Sequence, residues 1–324
     1  MDYKNEPLVS IIIVNYNGKH HLEKCLESLM KIDYENYEII LVDNNSADGS
    51  REFVEKLYTS VKIIKLDKNY GFAEPNNIGT KSAKGDLLLF LNNDTIVTFN
   101  FLSELVNVLN KEPDITICQS LLLKPNGDID SSGDYIDVLG RAYSSRKKVN
   151  EVKDIFSARG ASMIIRKKNF VELGGFEKTF FASFEDVALG WKAWLWGYRV
   201  VIVPKSIVYH LGGQTIKNSS LEIKFHGAKN SLFLRLVYFE SLRAISSICK
   251  LFFVILMKKS FTVKVIPDPE ISPPLPSYSV IFKAVGWILK NSRYILKKRR
   301  EVNSKKVKTT DELIEMGLIT KLCR

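Results

Sequence analysis

The sequence predicts an α/β protein built on a mostly parallel sheet, followed by a basic, apolar-helical extension. Three observations carry this. Strand-like and helix-like segments alternate from the N-terminus to Leu91, the strand-like segments are rich in β-branched and aliphatic residues, and the net charge sits entirely at the C-terminal end. Val9–Val14 is a β-branched run of the kind that a parallel sheet buries on both faces. After the Asn17-Gly18 turn, Leu22, Cys25, Leu26, Leu29 and Met30 recur at helical spacing. Tyr37–Val42 reads as a second strand ending at Asp43, and a polar turn leads to a helix with Phe53, Val54 and Leu57 on one face. Val61–Leu66 is a third strand, a helix lies near Pro75–Ala83, and Asp86–Leu91 is a fourth strand. Strands separated by single helices imply βαβ units with right-handed crossovers.

The middle is less regular. Asp114–Leu123 reads as a strand, Lys124–Lys153 as loops with one hairpin, and Phe156–Ile165 as a strand passing through Gly160. Glu185–Trp196 has helical spacing, and Arg199–Val203 is a short strand stopped by Pro204. After Asn230 the texture changes, so the expected domains are 1–230 and a C-terminal extension, 231–324. Residues 267–276 hold five of the ten prolines and read as a linker. Ile281–Leu296 is apolar-helical and runs into Lys297-Lys298-Arg299-Arg300.

A chain of 324 residues suits one large domain or two modest ones, and 45% apolar with 26% charged residues excludes disordered, collagen-like and disulfide-scaffold classes. Residues 1–230 carry 29 basic and 29 acidic side chains, whereas 231–324 carry 18 and 7. A neutral body argues against a nucleic-acid-binding core, and the basic tail points to an anionic surface, either membrane or nucleic acid, the place of Lys297-Lys298-Arg299-Arg300 beside an apolar helix favouring anionic lipid. The four cysteines form no CxxC, which fits a reducing cytoplasm. The N-terminus has no cationic and apolar leader pattern, and no run reaches the ~18 apolar residues of a spanning helix. The expected location is therefore cytoplasmic, peripheral to the inner face of the cell membrane.

Ligands of open α/β sheets bind beyond the carboxyl ends of the strands. There the sequence places Asn15-Tyr16-Asn17, Asp43-Asn44-Asn45-Ser46, Asn69-Tyr70-Gly71-Phe72 and Asn92-Asn93-Asp94. The set suits a nucleoside diphosphate. Asp43 can accept an imide N–H, Tyr16 can stack on a base, and Asn15, Asn17, Asn45, Asn69, Asn76 and Asn93 offer donors and acceptors to ribose and phosphate. Gly71 can let backbone approach a phosphate, and Asp94 can hold a hard divalent cation. Each has a plainer reading too: Asp43 as a helix cap, Asn69 and Gly71 as turn residues, Asp94 as a turn acid. Neither GxGxxG nor GxxxxGK[ST] occurs.

Pro7–Gly18, Val42–Ser50, Asn69–Ala73 and Leu91–Asp94 resemble the corresponding segments of family 2 glycosyltransferases. Gly174-Gly175-Phe176, Phe184-Glu185-Asp186 and Val208-Tyr209-His210 follow in the family's order, closest to its rhamnosyltransferase-like branch. The resemblance covers roughly residues 7–230. It implies a GT-A fold with a Rossmann-like sheet and inverting transfer from a nucleotide-sugar donor, rhamnose being the candidate sugar. The acceptor implied is lipid-linked or a polysaccharide. Asp94 matches the last residue of the DxD motif and implies Mg2+ or Mn2+, with His210 as a second ligand. Asp186 matches the general base, and Glu185 would bind the acceptor or raise the pKa of Asp186. The chain departs from the pattern where Asn92-Asn93-Asp94 has one carboxylate, at Ala188, and at Lys192. A non-catalytic nucleotide-sugar-binding scaffold at the membrane stays open as the alternative, and a nucleotidyltransferase as a third.

Overall fold

The computed structural model describes residues 6–212, 221–256 and 277–321. The linker expected at 267–276 lies outside the described residues. Strands β1 (Val9–Asn15), β2 (Tyr37–Asp43), β3 (Lys62–Lys65) and β4 (Leu87–Asn92) alternate with α1 (Lys19–Leu29), α2 (Ser50–Leu57) and α3 (Ala73–Ser82). They pair in parallel in the order β3-β2-β1-β4. Next come β5 (Thr95–Val97), α4 (Phe101–Lys111), β6 (Ile115–Leu123) and β7 (Ile129–Ser131). The hairpin β8 (Asp134–Asp137) and β9 (Ala142–Ser144) follows, then β10 (Lys153–Asp154), β11 (Ser162–Arg166), α5 (Lys167–Glu172), α6 (Glu185–Leu195) and β12 (Arg199–His210). The sheet order is β10-β12-β6-β11-β4-β1-β2-β3. Strand β11 is antiparallel to both neighbours, β4 and β6, and β12 is parallel to β6. Six strands therefore end on the rim where β11 begins.

Both sheet faces are covered at β1 and β4, which explains their nearly continuous apolar runs. Ile11 and Ile13 pack with Leu22, Leu26 and Leu105 on one side. Ile12 packs on the other with Val42, Phe90 and residues of α6. Two expectations fail locally. Phe156–Ala161 is not strand, because it turns at Arg159 and Gly160 before β11 starts at Ser162. Strand β12 does not stop at Pro204: a register shift between Val203 and Ile207 takes the proline out of the ladder, and the strand continues to His210.

The C-terminal part comprises α7 (Leu221–Tyr238), α8 (Ser241–Leu256), α9 (Tyr278–Lys290), α10 (Ser292–Ser304), α11 (Thr310–Glu315) and β13 (Ile319–Thr320). The boundary expected at 230 falls inside α7, whose Phe233, Leu234 and Val237 share one core with Phe156 and Trp191. Ile295, Val302, Leu313 and Ile319 join that core. The Trp196 indole N–H donates to the Val302 carbonyl at 2.9 Å, and buried Lys192 meets Glu301 at 2.6 Å. Strand β13 pairs in parallel with β8, Ile319 opposite Ile136. The segment expected as one helix, Ile281–Leu296, divides at Asn291. Among the described residues, no helix is long and apolar enough to cross a membrane.

Candidate active site

The ends of β1 to β4 are laced together by asparagines. Asn15 is buried at the end of β1 and donates to Ser46 (3.1 Å) and Ser50 (2.8 Å), while its carbonyl accepts from Asn93 Nδ2 at 2.7 Å. Asn17 and Asn45 take left-handed backbone conformations (φ +52° and +66°), which asparagine tolerates better than most residues. The Asn17 side chain accepts from the Ala47 amide. Asn44 Nδ2 donates to Asn69 Oδ1 and the Gly71 carbonyl, both at 2.8 Å, and its carbonyl accepts from the Tyr70 amide. Asp43 is fully buried; one carboxylate oxygen accepts from the Ser46 amide at 3.2 Å, and Oδ2 has no hydrogen-bond partner. A buried carboxylate oxygen left unpaired is costly, and a ligand N–H would relieve it. Tyr16 follows Asn15, the register partner of Asp43, and stands half exposed.

Opposite β2, on the other side of β1, the chain passes from β4 into β5. Strand β5 pairs antiparallel with the end of β12, His210 opposite Thr95. This register brings Asp94 Oδ1 to 3.5 Å from His210 Nε2. The other ring nitrogen lies 2.9 Å from Asp130 Oδ2. Burial alone would lower the His210 pKa, but hydrogen bonds and charge from Asp130 and Asp94 outweigh it and raise it to about 9. A carboxylate oxygen with an imidazole nitrogen fits a divalent cation, and a carboxylate behind the imidazole is the usual orienting partner of a metal-bound histidine. Among the described residues no group of three or more His, Cys, Asp or Glu could hold a metal. Diphosphate oxygens and water would have to complete its shell, as is common for Mg2+.

From Asp130 the network continues to the base candidate. Arg159 Nη1 lies 3.2 Å from Asp130 and Nη2 3.2 Å from Asp134. The next amide, Gly160 N–H, donates to Asp186 Oδ2 at 3.2 Å, and the Val187 amide donates to Oδ1. Burial, then the negative charge of Asp134, raises the Asp186 pKa above the ordinary carboxylate range. Burial, then Asp186, raises that of Glu185, whose Oε2 is buried without a partner. The negative charge that perturbs Asp186 thus comes from Asp134, where the sequence pointed to Glu185.

Gly71 (φ +81°) faces protein: a Cβ there would overlap the Phe181 carbonyl, with its carbon only 2.6 Å away. The adjacent Phe72 amide donates to that carbonyl at 2.7 Å, and Gly160 lies against the Phe72 ring. Asn76 is buried in α3 and donates back to the Phe72 carbonyl. Asn69 is spent on Asn44 and the Gly71 amide. Asn44, Asp130, Asp134 and Arg159 are the participants that motif reading did not single out. The last three lie in a stretch without periodicity, and strand pairings bring them together: β7 with β6 for Asp130, and the Asp134–Ser157 bridge for Asp134 and the turn at Arg159.

A mostly parallel sheet with an antiparallel insertion and acids at its carboxyl rim defines a GT-A nucleotide-diphospho-sugar transferase fold. It matches a crystal structure of GalNAc-T7 with UDP, GalNAc and Mn2+ (TM-score 0.63, 19% identity, 90% of this chain and 58% of that one). It also matches S. aureus TarS 1–349 in complex with UDP-GlcNAc (TM-score 0.58, 16% identity, 95% and 92%). The profile of glycosyl transferase family 2 matches residues 10–174, and the chain belongs to that family. It is 29% identical over 223 residues to the O-antigen biosynthesis protein RfbC of Myxococcus xanthus, covering 64% of this chain and 17% of that protein. It is 26% identical over 157 residues to the putative glycosyltransferase EpsH of Bacillus subtilis, covering 47% and 44%. The chain thus spans less than half the length of either relative.

Proposed function

We propose that the chain transfers a sugar from a nucleoside diphosphate donor to a hydroxyl acceptor with inversion. One observation carries this: a single strand-end rim holds the unpaired Asp43 oxygen, the Asp94–His210 pair and the raised carboxylate Asp186. Asp43 would accept the base N–H, Tyr16 would stack on the base, and Asn15, Asn17, Asn45, Asn69, Gly71, Asn76 and Asn93 would shape the nucleotide pocket. Asp94 and His210 would hold Mg2+ or Mn2+, which when bound offsets charge on the departing diphosphate. Asp186 takes the acceptor proton as the hydroxyl oxygen attacks the anomeric carbon. The C–O bond to diphosphate breaks on the opposite face, so configuration inverts. A base of this kind contributes roughly 10²–10⁴-fold. Glu185, beside the base, would hydrogen-bond the acceptor.

The setting is cell-surface polysaccharide synthesis, with a lipid-linked or glycan acceptor and rhamnose as candidate sugar. Similarity to RfbC supports the setting. The protein would work in the cytoplasm at the inner membrane face. Its support is the exposed apolar residues of α9 and α10, Phe282, Leu289 and Leu296, at 72%, 68% and 53% exposure. Each precedes an exposed lysine (Lys283, Lys290, Lys297), Arg293 and Arg300 are exposed on the same helices, and residues 271–300 contain no acid. Apolar anchors with cations suit an anionic bilayer, at about 1 kcal/mol per cation. Half of the basic cluster turns inward: Lys298 pairs with Glu177 and Glu301, and Arg299 donates to the Phe239 carbonyl.

The test is a screen of UDP-, dTDP- and GDP-sugars with Mn2+ and lipid-linked acceptors. Nucleoside diphosphate release that disappears in Asp186→Asn while donor binding persists is expected; no release from any donor sinks the proposal. Flotation with phosphatidylglycerol vesicles tests the membrane face, and recovery unchanged by Phe282, Leu289 and Leu296→Asn ends it.

A further inference from the structure

We propose that Asn230, on α7, is a positioning residue that holds Asp186 in register from the C-terminal side of the molecule. This rests on the role of Asp186 proposed above. Ser183 and Phe184, the two residues before Glu185-Asp186, both sit at φ +71°. Neither is glycine, and each such conformation costs about 1–2 kcal/mol. Helix α6 starts directly from this strained pair, and no side chain caps it. Its first turn carries the base, so the direction of Asp186 follows from the conformation of the pair.

One side chain grips the pair. Asn230 is fully buried, and its amide nitrogen donates to the Ala182 carbonyl at 3.0 Å and the Ser183 carbonyl at 2.7 Å. These carbonyls belong to the peptide units on either side of Ser183. Returning Ser183 to the right-handed region would rotate them apart, so two N–H donors on one nitrogen read the left-handed geometry directly. Neighbours on α7 hold the preceding residues: buried Lys229 donates to the Thr179 carbonyl, and His226 stacks on Phe181 at 5.2 Å. On its far side the Phe181 carbonyl accepts from Phe72, beside Gly71. The segment before the base is thus clamped between α7 and the donor-side turn. Asn230 donates where the strain is, whereas Lys229 and His226 act at a distance from it.

The experiment measures kcat and KM with whichever of the UDP-, dTDP- and GDP-sugars the full-length chain turns over. Asn230→Ala is expected to lower kcat by about tenfold or more, each 1.36 kcal/mol of lost positioning being tenfold, with donor KM within about twofold. Ser183→Gly, which relieves the strain, is expected to restore kcat in the Asn230→Ala background to within about threefold of the parent. Ser183→Val, which keeps Asn230 but disfavours the left-handed state, is expected to repeat the kcat loss, and serves if Asn230→Ala does not fold. Normal kcat in Asn230→Ala or Ser183→Val, or a double variant no better than Asn230→Ala alone, overturns the proposal. Asp186→Asn run alongside separates the two ideas: if it is inactive while Asn230→Ala is normal, only the positioning role fails, and if it is active, the base role fails first.

Discussion

Gly71→Ala tests whether the donor-side turn and the segment before the base are packed as one unit. The parent glycine sits at φ +81°, and the position of its missing Cβ is occupied by the Phe181 carbonyl. Three terms add. The left-handed conformation costs alanine about 1–2 kcal/mol. Overlap with a backbone carbonyl, which cannot swing aside like a side-chain tip, adds about 1–3 kcal/mol. Losing the Phe72-to-Phe181 hydrogen bond as the segments part adds about 1 kcal/mol. The expected loss is about 3–6 kcal/mol. Gly127 supplies the control, since its φ is +87° and nothing lies within 4 Å of its missing Cβ. Gly127→Ala bears only the conformational term, about 1–2 kcal/mol. Urea denaturation of both variants at matched m-value gives the comparison. Equal losses would refute the packing argument, because only the close approach distinguishes the two glycines.

Other outcomes follow from the charge pattern. Asp186 binds its proton more tightly folded than unfolded, so its stabilising contribution is full at acid pH and is lost as pH rises through the raised pKa. Asp186→Asn should therefore match the parent at acid pH and exceed its stability at pH 7, checked by thermal melts across pH; a deficit at pH 7 contradicts the shift. Asp130→Asn, behind His210, should weaken Mn2+ binding about 10–100-fold by EPR titration, and unchanged affinity would separate His210 from the cation. Glu301→Ala should cost about 2–4 kcal/mol by leaving buried Lys192 without its carboxylate, read by denaturation; a neutral result would show that α10 docks without this pair.

The sequence by itself determined the βαβ half of the protein. The apolar strands, helical spacings and strand-end asparagines between Val9 and Asp94 are local signals, each within a few residues of the group it positions. The motif proposed to carry the base was also local, because Glu185-Asp186 opens a well-patterned helix. Tertiary structure decided the rest, because it depends on pairings distant in sequence. Asp94 meets His210 through an antiparallel register across more than a hundred residues. Asp130 and Asp134 enter the site on the short strands β7 and β8, and Arg159 on the turn before β11, in a stretch that shows no period. The C-terminal helices looked separable because their composition shifts at Asn230, yet composition reports solvent preference and not which surface a helix covers. Only packing reveals that α7 and α10 bury their apolar faces in the same core as α6.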